Sequence, residues 1–328
     1  CSKIEKVVAA FRAQNMEPES WLAELQAMEA DGVLPDFLQA VEVQTEQTVQ
    51  FDVIAIGLQE VEMTGRALAQ GVAGLETKRG QDWRKHMDSI LEQEGYVCAG
   101  GHQLVGLFCA VYVHRAHEKY MQDVHVKFIG CGLGGFAGNK GGIVVRLKLY
   151  ETELNFVNTH LAAHMGHVSR RNKDFESIAD ALLPELVAVP PSRRVLSGEP
   201  LTMKATSPLI WFGDLNYRIP LEFEEVVEDI DEGKLDTIIA ADQLVQEQAA
   251  QRAFVGFTES DIAFAPTYKF RMGAQHVTAE KPHGDYDRRI KKKSAAKGGG
   301  TKPPRVPAYT DRILWCGPGI RPLLPEPM

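Results

Sequence analysis

Ionisable side chains stand at the ends of several apolar runs of this sequence. Glu60 closely follows the run FDVIAIGL, His160 ends ELNFVNTH, and Asp214 ends LIWFGD with Asn216 two residues further on. Asp311 stands where the apolar run RILWC begins. Polar side chains at the ends of neighbouring strands commonly share one cleft on a rigid scaffold. We therefore expect these five side chains to lie together.

Three carboxylates in one cleft repel one another unless a cation or a proton lies between them. Oxygen ligands with no thiolate nearby favour a hard divalent metal, and Mg²⁺ typically takes one or two protein carboxylates and completes its shell with water and substrate phosphate. For each acid taken alone, a surface salt bridge is the simpler interpretation. The joint pattern shifts the balance toward a shared Mg²⁺ site.

The elements that position these side chains are short apolar runs separated by polar or glycine-rich turns. Such runs are typical of central strands, and they occupy residues 51–58, 104–113, 125–130, 142–149, 153–160, 208–215 and 312–316. Helical spacing lies between them and is clearest over 169–189 and 221–251. The same spacing predicts two short helices over 3–31. Strands and helices therefore mix along the whole chain.

The composition is that of an ordinary globular chain. The 328 residues are 44% hydrophobic and 24% charged, which excludes disorder and coiled coil as descriptions of the whole. There is no long uncharged apolar stretch and no signal-peptide core near the N-terminus, so we expect a cytoplasmic protein. The net charge of −8 argues against nucleic acid as a partner. The five cysteines form no CxxC pair and are expected to be reduced thiols.

Three motifs resemble known ligand sites only superficially. The glycines of GCGLGG, at 130–135, precede a strand pattern instead of a helix, so no helix N-terminus is available for a dinucleotide. GFAGNKGG lacks the Ser or Thr of a Walker A loop, and we interpret it as a glycine-rich hairpin that carries Lys140. HLAAH, at 160–164, has the histidine spacing of a zinc protease but lacks its glutamate.

One segment, residues 279–306, is strongly basic. It has nine Lys or Arg residues against three acidic residues and also contains a Gly-Gly-Gly run and a Pro-Pro pair. This composition predicts a flexible surface loop that does not pack into a core. A solvated linker is the simpler interpretation. The alternative is contact with anionic lipid, at about 1 kcal/mol for each basic residue near such a surface.

Seven motifs together resemble one known family. They are GLQE (57–60), GNKGG (138–142), NTHLAAH (158–164), SRRNKDF (169–175), WFGDLNYRI (211–219), PTYKF (266–270) and PAYTDRILW (307–315). In this order they resemble the catalytic domain of the inositol polyphosphate 5-phosphatases, within the exonuclease, endonuclease and phosphatase superfamily. The resemblance covers about residues 50–316.

The resemblance implies the fold and the reaction. The expected fold is α+β, a four-layer αββα sandwich of the DNase I-like type in which two packed mixed β-sheets are flanked by helices. Residues 1–328 are expected to form a single catalytic domain. The expected reaction is Mg²⁺-dependent removal of the 5-phosphate from phosphoinositides such as phosphatidylinositol 4,5-bisphosphate, or from soluble inositol polyphosphates.

The resemblance also implies a role for each residue at the strand ends. Glu60 resembles the metal ligand, and Asp214 the general base that activates the attacking water. Asn216 resembles the amide that orients water and phosphate. His160 is similar to the superfamily histidine at the scissile phosphate, and Asp311 is placed to fix a histidine partner.

A multiply phosphorylated ring needs further cations and hydroxyl donors. The candidate substrate-binding residues are Lys140, His164, Arg171, Tyr217, Arg218 and Lys269. Of these, Tyr217, Arg218 and Lys269 match family positions that meet the 4-phosphate, which implies a substrate with adjacent 4- and 5-phosphates. The alternative for Tyr217 and Arg218 is scaffold packing. We expect a monomer that binds no nucleic acid and is transiently peripheral at an anionic membrane surface.

Two pieces of the family pattern are not found in the sequence. The family begins with a strand that reads like GTWNxN and ends with a Ser-Asp-His segment, whereas the residues before GLQE have helical spacing and no Ser-Asp-His follows Asp311. We therefore expect a chain cut at both ends. A catalytically degenerate phosphoinositide-binding module and a superfamily nuclease are the alternative functions.

Overall fold

The computed structural model describes residues 6–12, 51–62, 64, 75–132, 139–204, 206–270, 286–289, 291–292 and 301–322. The strands are β1 (Lys6–Arg12), β2 (Val53–Gln59), β3 (Tyr96–Leu104), β4 (Leu107–His114), β5 (Met121–Gly130), β6 (Gly141–Leu149), β7 (Thr152–His160), β8 (Leu209–Asp214), β9 (Thr258–Glu259), β10 (Lys291–Lys292), β11 (Thr301–Lys302) and β12 (Asp311–Cys316). The α-helices are α1 (Lys78–Gln93), α2 (Val168–Leu182), α3 (Pro191–Ser197), α4 (Phe223–Asp231), α5 (Leu235–Ala240) and α6 (Gln243–Ala249). Short 3₁₀-helices occupy Arg115–Tyr120 and Pro184–Leu186.

Two mixed sheets form the centre of the molecule. The first has the order β1-β2-β4-β3, and the second has the order β5-β6-β7-β8-β12-β9. Strand β1 runs parallel to β2, and β7 runs parallel to β8; the other pairs in these sheets are antiparallel. The strands β10 and β11 form a separate antiparallel pair.

Successive side chains of a strand point to opposite faces of its sheet, and in both sheets each face is apolar. Inward-facing residues of the first sheet, such as Val53 and Ala55, pack with Phe156 and Phe212 of the second in one buried cluster. On the outer face of the first sheet, residues of β2 and β4 pack against Trp83 of α1. This arrangement supplies the first two layers and their interface.

The outer face of the second sheet is covered by α2. Phe175 and Ile178 of that helix share a buried cluster with Val157 of β7 and Trp211 of β8. The order of layers is therefore α1, first sheet, second sheet and α2. The expected four-layer α+β sandwich is confirmed.

The predicted strands are all present, and one of the predicted runs is divided between two strands. The run 104–113 contains a turn at Val105 and Gly106 that separates β3 from β4. Strand β3 was not predicted because its central residues are Gly100 and Gly101, which weaken a strand pattern. Gly101 lies so close to β4 that a Cβ there would stand 2.5 Å from the carbonyl oxygen of Cys109.

The helix predicted near the N-terminus is wrong over residues 6–12, which form β1 and pair in parallel with all seven residues of β2. The sequence KVVAAFR suits either structure, and pairing with the edge of β2 decides in favour of the strand. The interpretation of the residues before GLQE as helical is therefore wrong at these seven positions. The rest of the helical prediction, residues 13–31, lies outside the described residues.

The helical pattern predicted over 221–251 is divided into three helices. Gly233 adopts a φ of 72° shortly after α4, a conformation that glycine reaches without steric cost. Asp242 then caps α6, since its side chain accepts hydrogen bonds from the backbone amides of Leu244 and Val245. The break between α5 and α6 brings Asp242 and Gln243 to a helix N-terminus.

Part of the basic segment is packed. Tyr286 and Asp287 are buried, and Tyr286 stacks on Phe270 with ring centroids 5.0 Å apart. The expectation that the segment does not contribute to a core is therefore wrong at Tyr286, which joins a cluster with Phe223 and Tyr309. None of the helices formed by the described residues is long and apolar enough to cross a membrane.

Candidate active site

Three of the strand-end residues lie side by side at one end of the second sheet. His160 of β7 pairs with Asp214 of β8 in the parallel register. Asp214 in turn pairs with Asp311 of β12 in the antiparallel register. Alternation places all three on the face that carries Phe156 and Phe212, toward the first sheet. Directly opposed carboxylates on neighbouring strands are unfavourable without a nearby cation.

His160 stands at one end of this row, beside Asp214. Its Nε2 lies 3.4 Å from Oδ2 of Asp214, and both side chains are buried. The Nζ of Lys140 contacts the same Nε2 atom. Burial and the charge of Lys140 lower the pKa of His160, whereas Asp214 and the charge of Glu60 act in the opposite direction. His160 is therefore neutral at neutral pH and has a cation beside it.

Glu60 reaches the site from the first sheet. It directly follows β2 with a φ of 62°, and the next residue, Val61, is fixed by a 3.0 Å bond from its N–H to the carbonyl of Gly106. The carboxylate is close enough to His160 to influence its pKa. The backbone thus turns sharply after the strand and presents Glu60 toward the second sheet.

A buried amide pair joins the two sheets beside Glu60 and His160. Gln59 donates from Nε2 to Oδ1 of Asn158 over 2.9 Å, and Asn158 donates from Nδ2 to the carbonyl of Phe108 over 2.7 Å. Gly57 allows this approach, since a Cβ there would lie 2.6 Å from the Asn158 side chain. The amide pair therefore fixes the separation of the sheets at the site.

Asn216 is held by the segment that follows β8. Its backbone N–H donates to Oδ1 of Asp214 over 3.0 Å, and its Nδ2 donates to the carbonyl of Leu161 over 3.0 Å. Its Oδ1 accepts a hydrogen bond from Arg218. Asn216 thereby orients Asp214 and links the ends of β7 and β8.

A cluster of cations surrounds the ring of Tyr268. The guanidinium carbon of Arg218 lies 4.3 Å from the ring centroid, the Nζ of Lys269 lies 5.8 Å away and the guanidinium carbon of Arg305 lies 6.0 Å away. Arg305 also donates to the Tyr268 hydroxyl. Burial raises the pKa of Tyr268, but the charges and hydrogen bonds of Arg218 and Arg305 outweigh it, so the pKa lies below its ordinary value. This Tyr268 cluster is suited to binding an anion.

Arg171 is fully buried beneath the loop that follows β7. Its NH1 donates to the carbonyls of Ala162 and His164 over 3.0 and 2.8 Å. Burial lowers the pKa of Arg171 to about 10. In this geometry Arg171 supports the main chain of the loop, while the side chain of His164 is exposed.

Tyr217 is also buried, in the cluster between the second sheet and α2. Its hydroxyl donates to Oδ1 of Asn172 over 2.7 Å, and the guanidinium of Arg171 stacks on its ring at 5.0 Å. This position matches the scaffold-packing alternative. The substrate contacts predicted for Arg171 and Tyr217 stay predictions.

Four further residues contribute to the site but were not predicted. Asp174 accepts from the backbone N–H of Ala162 over 3.0 Å and so anchors the loop after β7. Asn158 joins the two sheets, Arg305 belongs to the Tyr268 cluster, and Gln243 accepts from the backbone N–H of Arg218. A sequence signal existed only for Asn158, which stands two residues before His160 and therefore faces the same side of β7.

The donor set fits a divalent metal held mainly by one carboxylate. Within the described part of the chain, no three His, Cys, Asp or Glu side chains form a cluster that could hold an ion by themselves. The donors near His160 are the hard carboxylate oxygens of Asp214 and, from the first sheet, of Glu60. Such a site suits a hard divalent cation that completes its shell with water and phosphate oxygens.

Comparison with known proteins identifies the family. The model of Endonuclease/Exonuclease/phosphatase family 2 matches residues 15–320. The chain belongs to this family. The matched region begins well before residue 50, where the recognisable motifs begin.

Similar sequences in this family include inositol phosphatases. The chain is 34% identical to type II inositol 1,4,5-trisphosphate 5-phosphatase of Mus musculus over 271 residues, which cover 82% of this chain and 24% of the relative. It is 33% identical to synaptojanin-1 of Rattus norvegicus over 276 residues, which cover 84% of this chain and 15% of the relative. The chain therefore spans a quarter or less of the length of these relatives.

Solved structures agree with the fold. The inositol polyphosphate 5-phosphatase domain of SPsynaptojanin, in complex with inositol (1,4)-bisphosphate and a calcium ion, has a TM-score of 0.61 and 28% identity, with 83% of this chain and 69% of that chain covered. The ferrous NO complex of Cimex nitrophorin has a TM-score of 0.57 but only 17% identity, over 94% of this chain and 84% of that chain. The second likeness concerns the fold alone.

Proposed function

We propose that this family member is a Mg²⁺-dependent phosphomonoester hydrolase that removes the 5-phosphate from phosphoinositides or soluble inositol polyphosphates. The observation that carries the proposal is the row of His160, Asp214 and Asp311 on adjacent strands. The charge of Glu60 acts on His160 in that row. The names of the mouse 5-phosphatase and of the SPsynaptojanin domain support the same reaction class.

The row is arranged to activate water. Asp214 has one oxygen fixed by the backbone N–H of Asn216, while its second oxygen faces His160. We assign Asp214 as the base that takes the proton of the attacking water, since the bond to Asn216 fixes the orientation of its carboxylate beside His160. The backbone N–H of Asn216 keeps the carboxylate in this orientation.

The neighbouring residues neutralise charge on the phosphate. Neutral His160 offers a ring hydrogen bond, and Lys140 beside it supplies a positive charge. Electrostatic stabilisation in a buried site is usually a large part of catalysis. When bound through Glu60, the metal ion supplies further charge neutralisation on the phosphate oxygens.

The Tyr268 cluster supports selectivity for a second phosphate. Arg218 belongs to the segment that also carries Asn216, and its guanidinium is shared between Asn216 and the Tyr268 ring. Lys269 and Arg305 add two more positive charges at the same ring. We assign this cluster to a phosphate adjacent to the one removed, which gives a substrate with neighbouring 4- and 5-phosphates.

The proposed setting is cytoplasmic, with a monomer that meets anionic membranes transiently. The basic segment 279–306 supports this part of the proposal, because its described arginines Arg288, Arg289 and Arg305 are exposed. Clusters of exposed basic residues are attracted to anionic lipid surfaces.

The test is phosphate release with Mg²⁺ from phosphatidylinositol 4,5-bisphosphate in vesicles and from soluble inositol 1,4,5-trisphosphate. Asp214→Asn is expected to lower kcat by a factor of about 100 or more, the range for loss of a general base. Asp236→Asn, which changes an exposed aspartate of α5, is the matched control and should keep the wild-type rate.

Three outcomes would replace or revise the proposal. Tight binding of phosphoinositide vesicles without phosphate release would identify a degenerate binding module. Nicking of plasmid DNA that disappears with Asp214→Asn would identify a nuclease. Equal phosphate release by wild type and Asp214→Asn would remove Asp214 from the mechanism.

A further inference from the structure

Asp242 and Gln243 lie at the N-terminus of helix α6 and are both buried. They lie outside the sequence motifs that contain the active-site residues, and the sequence did not predict either of them as a site residue. Their side chains and the backbone of Gln243 nevertheless bond to the segments that follow β7 and β8 and to the start of β12.

The first set of contacts joins Gln243 to the segment after β8. The backbone N–H of Gln243 donates to the carbonyl of Arg218 over 3.0 Å, and the backbone N–H of Arg218 donates to Oε1 of Gln243 over 3.0 Å. Arg218 is therefore held through both its backbone groups by one residue. Its side chain in turn contacts Asn216.

The second set joins Gln243 to the loop after β7. The Nε2 of Gln243 donates to the carbonyl of Met165 over 3.1 Å, and its Oε1 accepts from NH2 of Arg171 over 2.5 Å. Arg171 donates from its NH1 to the carbonyls of Ala162 and His164. One amide side chain thus supports the loop both directly and through Arg171.

The third set joins Asp242 to β12. Arg312 is fully buried, and its NH1 donates to Oδ1 of Asp242 over 2.9 Å. Arg312 also pairs with Glu259 of β9. Asp311, the residue before Arg312, forms one end of the row at the active site.

We infer that Gln243 is a positioning residue that sets the relative placement of the two segments flanking Asp214, with Asp242 extending the same support to β12. The inference rests on the proposed function for its catalytic consequence, but its structural part does not depend on turnover. Gln243 acts through Arg218 and through the carbonyls of the loop after β7.

Two variants separate the acceptor and donor roles of the side chain. Gln243→Met keeps the length of the side chain and removes both hydrogen-bonding atoms. Gln243→Glu keeps an acceptor for Arg171 and for the Arg218 N–H but loses the donor to Met165. Gln246→Met is the matched control, since Gln246 is exposed on the same helix.

The first measurement is hydrogen exchange of the full chain, resolved to peptides that cover residues 161–167 and 215–219. Gln243→Met is expected to accelerate exchange in both peptides, and Gln246→Met in neither. Gln243→Glu is expected to accelerate exchange over 161–167 while residues 215–219 stay protected, because the bond to the Arg218 N–H survives.

The second measurement is steady-state phosphate release. Gln243→Met is expected to lower kcat/KM by about 100-fold, the size of effect that follows a misplacement of about 1 Å. Gln243→Glu is expected to restore much of that loss, and Gln246→Met to match wild type.

Each result decides something specific. Unchanged exchange in both peptides of Gln243→Met would overturn the inference, as would equal losses of kcat/KM in the Met and Glu variants. If the wild type releases no phosphate from any substrate while the exchange pattern is as expected, the proposed function fails and the placement of the two segments by Gln243 stands.

Discussion

Gln59 and Asn158 bond to each other across the interface of the two sheets, Nε2 to Oδ1 over 2.9 Å, although 99 residues separate them in the chain. Gln59 directly precedes Glu60 in the chain, and Asn158 stands two residues before His160. The pair is fully buried and lies at the end of an otherwise apolar interface. Two amide side chains therefore set the distance between the end of β2 in the first sheet and the end of β7 in the second.

Replacing Asn158 with leucine should destabilise the protein. The change leaves the Gln59 amide and the Phe108 carbonyl without their bonds to this side chain, and a buried polar group left unsatisfied costs about 1–3 kcal/mol. We expect the free energy of unfolding, measured by urea denaturation, to fall by about 2 kcal/mol or more. The double variant Gln59→Met/Asn158→Leu should recover part of this loss, and additive losses in the double variant would contradict a direct coupling.

The stability of the protein should fall in mild acid because of His160. Burial and Lys140 lower its pKa in the folded state, so unfolding takes up a proton once the pH falls below the unfolded value of about 6.5. The stability is present in full above that pH and is lost progressively toward the lower folded pKa. His160→Asn should show a flatter profile of unfolding free energy between about pH 7.5 and 5. His125→Asn, at an exposed histidine, should keep the wild-type slope.

Glu60→Gln should weaken metal binding. The neutral amide lacks the charge that a hard divalent cation requires, so the Mg²⁺ concentration for half-maximal phosphate release should rise by at least about tenfold. Calorimetric titration with Mg²⁺ provides a readout that does not depend on turnover. Glu62→Gln lies two residues further along and is the control. An unchanged calorimetric affinity in Glu60→Gln would place the metal elsewhere.

Arg305→Gln should raise KM more than it lowers kcat. A charge-assisted hydrogen bond contributes about 1.5–3 kcal/mol, which corresponds to at least about a tenfold rise in KM for a substrate with adjacent phosphates. The rise should be smaller for a substrate that lacks the phosphate next to the one removed. Arg289→Gln changes an exposed arginine of the same basic segment and controls for general electrostatic attraction. Equal effects of the two variants would argue against a specific contact.

Arg312→Met should be among the most destabilising single changes in the chain. It leaves Asp242 buried without its charged partner, and breaking one side of a buried ion pair costs about 3–5 kcal/mol. Arg252→Met removes a more exposed arginine from its pair with Glu247 and should have a much smaller effect, as is usual for pairs near the surface. Guanidinium denaturation compares the two. Similar costs would show that burial of the Arg312 pair has little effect.

The grouping of His160, Asp214 and Asp311 could be predicted from the sequence because side chains alternate along a strand with a period of two. Once the apolar runs ending at His160 and Asp214 are assigned as strands, their final polar side chains fall at one sheet end. Strand β1 was missed because a seven-residue apolar run gains its structure from pairing with β2, a long-range contact that local spacing does not contain.

The burial of Arg171 could be predicted from the helical spacing of its neighbours. Arg171, Phe175, Ile178 and Leu182 lie three or four residues apart, and all four are on the buried face of α2. A basic residue on an apolar helical stripe is expected to be buried and to need hydrogen-bond acceptors. Gln243 offered no comparable signal, because its partners come from separate parts of the chain.

The row of His160, Asp214 and Asp311 is also expected to form late during folding. Strands β7 and β8 are parallel neighbours, so residues 161–208 must cross over before the two can pair, and β12 adds only after a further excursion of the chain. Contacts of such long sequence separation form slowly, after local helices and hairpins. On dilution from denaturant, the return of enzymatic turnover should therefore lag behind the recovery of far-ultraviolet dichroism.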